Sequence, residues 1–144
     1  MLTFTPPPMR NKELTEIILR LENYLECWKQ FSHFMNLGRE KKHTLDDETQ
    51  FLEVKSIITQ ELEQILASIE NGPVTREDVH AILAAAPSIR YLGETSETAL
   101  REIENRWHRQ FISLQAMLGQ LKVRLKQEEQ KSLWATLLPA RAHA

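Results

Sequence analysis

Two Glu-x-x-His pairs occur in the chain, Glu40 with His43 and Glu77 with His80. Residues three apart share a helix face, and di-iron carboxylate bundles use this spacing to bring a carboxylate and an imidazole to one metal. Such a bundle also needs glutamates projecting into its core from other helices. Here only Glu104 lies on an apolar stripe, Glu40 and His43 fall in a predicted loop, and Glu77 and His80 fall opposite the inward residues Val79 and Ile82. Solvated acids at helix starts account for these residues, so no metal ligand is assigned.

Glu104 and His108, four apart and beside Trp107, have the spacing of an imidazole base and a carboxylate that orients it. No Ser or Cys nucleophile is tied to His108 by pattern, and no catalytic residue is assigned. Cys27 lies about a quarter-turn off the main face of its helix, between Glu26 and Trp28. No helix N-terminus is near to lower its pKa, so it reads as a small boundary hydrophobe. The chain has four glycines, Gly38, Gly72, Gly93 and Gly119, and no phosphate loop, Gly-x-Gly-x-x-Gly, Gly-x-Ser-x-Gly or Cys-x-x-Cys. That disfavours the usual nucleotide-dependent enzymes. No cofactor is expected, and no small-molecule substrate can be identified from these residues.

Charge argues in the same direction. Eighteen Lys and Arg stand against 20 Asp and Glu, a formal charge of −2, whereas dedicated nucleic-acid binders are strongly basic. Arg101, Arg106, Arg109, Lys122, Arg124, Lys126 and Lys131 do make the last helix basic, but they scatter over more than half its circumference among Glu102, Glu104, Glu128 and Glu129. A single cysteine cannot form an internal disulfide, which favours a reducing compartment. No run approaches the roughly 20 apolar residues that span a bilayer, and the N-terminus lacks a basic segment followed by an apolar one. The expected setting is the cytoplasm, away from membranes.

The elements that position these residues are helical. Of 144 residues only 4 are Gly and 6 are Pro, three of those consecutive, too few breakers for an all-β domain. Residues 1–10 read as an extended Pro-rich arm, 11–132 as one helical-bundle domain, and 133–144 as an apolar patch leading to a disordered end. Leu14, Ile18, Leu21, Leu25, Trp28, Phe31 and Met35 define the first long helix, capped by Asn11 and stopped by Gly38. Thr44 caps a second, striped by Phe51, Val54, Ile58, Leu62 and Ile65 and ending at Asn71 before Gly72-Pro73. The two should form an antiparallel hairpin. Thr75 caps a short third helix that ends at Pro87. Ser88 to Thr95 reads as an irregular crossing anchored by Ile89, Tyr91 and Leu92, with a turn at Gly93. Thr95 or Ser96 caps a last helix of about 40 residues, uninterrupted until Pro139.

The last helix carries a heptad seam, with Phe111, Leu118 and Leu125 at a and Trp107, Leu114 and Leu121 at d. Trp107 and Phe111 are expected as core anchors. Almost opposite the seam lie Ile112, Ala116, Gly119 and Val123, spaced 4, 3 and 4, with Leu133, Trp134, Leu137 and Leu138 further along. The expected fold is therefore an all-α antiparallel bundle of three long helices and one short one. The expected function is a non-catalytic protein–protein interaction, adaptor or scaffolding module. Ile112, Ala116, Gly119, Val123 and Trp134 are its interaction face, used by a protein partner or for homodimerisation. The alternatives are a small metal-binding protein or enzyme using the Glu/His pairs, and a weak nucleic-acid-binding regulator using the basic last helix.

Overall fold

Helix starts in this chain are set by short polar side chains that accept otherwise unpartnered backbone N–H groups. At Thr44 the device is reciprocal. Its hydroxyl accepts from the Asp47 N–H at 3.1 Å, and the Asp47 carboxylate accepts from the Thr44 N–H at 2.8 Å. That backbone bond, aided by the Thr44 side chain, holds the Asp47 carboxyl below its ordinary range. Thr75 accepts from Asp78, Ser88 from Tyr91, and Ser96 from Ala99. The computed structural model describes residues 11–69 and 72–137, and in order along it lie α1 (Asn11–Glu40), α2 (Leu45–Ser68), α3 (Arg76–Ala85), α4 (Ile89–Glu94) and α5 (Glu97–Leu137). The readings of the Pro-rich arm, of Asn71 and of the end beyond Leu137 lie outside the described residues.

The chain is an all-α bundle, and α1 is its axis: α2, α4 and α5 all pack on it, while α3 bridges α2 and α5. The α1–α2 hairpin is antiparallel. The Tyr24 hydroxyl donates to the Ile58 carbonyl at 3.4 Å, and the Phe31 and Phe51 rings lie 5.3 Å apart. Helix α5 also runs antiparallel to α1, for Arg39 pairs with Glu104 near one end and Lys122 lies 3.6 Å from Glu22 near the other. A file of aromatic contacts, Tyr24 to Trp28 to Phe31 to Phe51 to Phe34, fills the centre at centroid separations of 5.3–6.3 Å.

Four expectations are corrected. Gly38 does not stop α1; the helix continues to Glu40, and Lys41, with φ 57°, takes the left-handed position. Helix α2 ends at Ser68 with Ile69 as its cap. Ser88 to Thr95 is no irregular crossing but contains helix α4, in which Ile89 and Leu92 are buried and Tyr91 is 47% exposed. The reason is a close approach of α4 to α1. A Cβ on Gly38 would meet the Ile89 carbonyl oxygen at 2.9 Å, and one on Gly93 would meet the Gly38 carbonyl oxygen at 2.7 Å. Both glycines serve this backbone contact, not a turn.

The fourth correction concerns the phase of α5. Its buried residues are Leu100, Ile103, Gln110, Leu114, Met117 and Leu121, while Trp107, Phe111, Leu118 and Leu125 are only half-buried. The seam keeps Leu114 and Leu121 but uses Ile103, Gln110 and Met117 where Phe111, Leu118 and Leu125 were expected. Helix α5 packs between α1 and α3, and α3 covers the side on which Gln110 lies.

The two kinds of glycine are separable by experiment. Gly93→Ala should lower the free energy of unfolding in urea by about 1–3 kcal/mol, because the atom it meets is backbone and cannot rotate away. Among the described residues nothing lies within 4 Å of a Cβ added at Gly119, so Gly119→Ala should raise stability by about 1 kcal/mol through helix propensity alone. Equal stability of Gly93→Ala and the parent would refute the tight α1–α4 contact.

Candidate functional site

The residues whose spacing suggested chemistry are not brought together. Glu104 is half-buried and paired with Arg39 across the α1–α5 contact, while His108, a turn further on, is exposed. Glu40, Glu77 and His80 are exposed, and His43 is half-buried. Among the described residues no three His, Cys, Asp or Glu side chains converge as metal ligands would. Cys27 borders a groove between α1 and α2, beside Leu19, Ile57 and Glu61. Burial, then the nearby charges of Glu26 and Glu61, push its thiol pKa up, away from a reactive thiolate.

The cations of α5 are mostly engaged. Arg101, Arg106, Lys122, Arg124 and Lys131 each lie within 4 Å of a carboxylate. Between α3 and α5 is an open depression of about 510 Å³, lined in part by Asp78, Arg106, Arg109, Gln110 and Ser113. Arg106 is held there by Glu102 at 3.0 Å, and Gln110, 6% exposed, is the buried polar side chain of the core. This lining offers hydrogen bonds and positive charge but no imidazole or thiol.

The outer side of α5 is different in character. Ile112 and Val123 are 50% and 58% exposed, Ala116 and Gly119 are exposed, and Leu133, Trp134 and Leu137 are 58%, 60% and 64% exposed. The geometry is simple. Ile112, Ala116, Gly119 and Val123 each follow a buried residue (Gln110, Leu114, Met117 or Leu121) by two positions, about 200° around the helix. The same 4-3 spacing continues through Lys126 and Gln130 to Leu133 and Leu137, all exposed. Helix α5 thus has two heptad seams, one holding the bundle together and one facing away from it. Toward α1 the outer seam is bordered by a groove lined by Leu25, Phe111, Leu118 and Gly119.

What sets the rotation of α5, and so points this seam outward, is Trp107. Its indole N–H donates to the backbone carbonyl of Trp28 at 2.8 Å, and its ring stacks on Phe111 at 4.8 Å. It is half-buried, not the fully buried anchor expected. Sequence reasoning missed Gln110 and Met117 as inward residues. Their signal was the same two-position offset from Ile112 and Gly119, obscured by the polar glutamine.

No family model, curated protein or solved structure matches the chain. No helix among the described residues is long and apolar enough to cross a membrane.

Two measurements probe this core. Trp107→Ala should cost about 3 kcal/mol of stability in urea unfolding, and Trp107→Phe, which keeps a ring but loses the donor, about 1 kcal/mol; a neutral Phe variant would deny the hydrogen bond its role. Desolvation by burial raises the Tyr24 pKa above its ordinary value of about 10. Its contribution is therefore complete below that value and is lost as pH climbs toward the folded-state pKa. Between about pH 9 and 11 the urea midpoint should fall, and Tyr24→Phe, which cannot ionise, should fall less. Parallel declines in the two proteins would show that other groups carry the effect.

Proposed function

We infer that this protein is a non-catalytic protein–protein interaction module, an adaptor or scaffold that works through the outer seam of α5. One observation carries the reading: a heptad-spaced strip from Ile112 to Leu137 that nothing among the described residues covers. Single exposed apolar side chains need no explanation, but a row of them at coiled-coil spacing is the form a partner helix packs against. The small residues Ala116 and Gly119 in its middle permit a close approach, and Gly119 costs helix stability of about 1 kcal/mol relative to Ala. A cytoplasmic setting accords with the unpaired thiol of Cys27.

The test is comparative. The immobilised chain is challenged with lysate of its native host beside a Val123→Glu/Leu133→Glu variant, whose exposed substitutions leave helicity unchanged by circular dichroism. Proteins held by the parent and released by the variant support the module. Identical capture by both overturns the assignment of its function to this face.

A further inference from the structure

We propose that the occupant of the outer α5 seam is a second copy of the same seam, packed antiparallel so that Ile112 of one chain meets Leu137 of the other. This rests on the interaction-module reading and names its partner. The argument is one of register.

An antiparallel pair of α5 helices can interlock only in steps of one heptad, because each a position must meet a d position of its mate. In the register proposed, Leu137 meets Ile112, Leu133 meets Ala116, Gln130 meets Gly119, and Val123 packs against the aliphatic stem of Lys126. Leu133 and Gln130 of the distal half thus face the small Ala116 and Gly119, Leu137 meets the apolar Ile112, and by two-fold symmetry each contact occurs twice. On the border of the seam the same register sets Lys122 of each chain beside Glu129 of the other. Both side chains are exposed. Lys122 already lies 3.6 Å from Glu22 of its own chain, so the second carboxylate completes a pair of acids around it.

The neighbouring registers fail on charge. A shift of one heptad toward the N-terminal half puts Lys122 against Lys122 and leaves Leu133 and Leu137 opposite Arg109 and Asn105. A shift the other way puts Glu129 against Glu129. A parallel pair meets its own residues at every level, with Lys126 on Lys126 inside the seam. Of these arrangements only the proposed one sets unlike charges together on the border, and it places its apolar contacts, Leu137 on Ile112 and Leu133 on Ala116, at both ends of the roughly 38 Å from Ile112 to Leu137. The outer seam lies about 200° from the buried one, so the two bundles sit on opposite sides of the joined helices.

Cross-linking reads the register directly. In a Cys27→Ser background, Ala116→Cys and Leu133→Cys are made singly and exposed to mild oxidant. Neither alone should form a disulfide-linked dimer, because each cysteine lies far from its own copy, but an equimolar mixture should. Lys122→Glu should weaken dimerisation about tenfold, and adding Glu129→Lys should restore it. Either single variant linking to itself, or a charge reversal without effect, overturns the register. A parent chain that is monomeric by light scattering at high micromolar concentration overturns the second copy. If seam-dependent capture of other proteins then persists, the module reading stands without self-association; if it too is absent, both fall.

Discussion

The contact on which the rest of the arrangement turns is the hydrogen bond from the Trp107 indole to the Trp28 carbonyl. It joins the two longest helices 79 residues apart in sequence. The apolar side chains of α5 hold its phase through shape-specific packing, but burial by itself has no preferred direction. A directional donor on a large ring adds a geometric requirement to that packing. With Trp107 fixed over Trp28, Leu114 and Leu121 must point into the bundle, and every residue two positions beyond a buried one must point out. The outer seam is therefore a consequence of the inner contact as much as of its own composition.

That coupling explains what could be read from the residues and what could not. The three long helices and α3, with their directions and starts, were legible because they depend on local chemistry: caps at Thr44, Thr75 and Ser96, and apolar spacing of three and four; the six-residue α4, read as an irregular crossing, was not. The phase of α5 was not. Counting apolar residues favours Phe111, Leu118 and Leu125, but the presence of α3 on the opposite flank draws in Ile103, Gln110 and Met117. The glutamine at position 110 interrupts the true seam, which Leu100, Ile103, Leu114, Met117 and Leu121 otherwise mark. The outward direction of Ile112, Ala116, Gly119 and Val123 was nevertheless legible, since these residues stand opposite either version of the seam.

The glycines make the same point about local and tertiary causes. Gly38 and Gly93 sit where sequence suggests a helix stop and a turn, yet both are helical and neither has positive φ. Their missing side chains make room for the other's helix. Nothing local distinguishes such a glycine from a capping one, because the atom it makes room for lies more than fifty residues away. Gly119 is the contrary case, a helical glycine with open space around it. Among the described residues it satisfies neither a positive-φ conformation nor a contact.

The makeup of the outer seam sets how strongly it can associate. A continuous leucine seam on an exposed helix would associate more tightly or aggregate, since contiguous apolar surface is costly to leave in water. Here Lys126 and Gln130 interrupt the apolar residues, and Ala116 and Gly119 contribute little area. Each chain alone then keeps its strip hydrated at moderate cost, and in the proposed pair the gain would come from a few contacts at the ends, around Ile112, Leu133 and Leu137. Polar residues inside a seam lower affinity while restricting register and orientation. Such a face suits reversible, selective association, and that follows from its interruptions more than from its leucines.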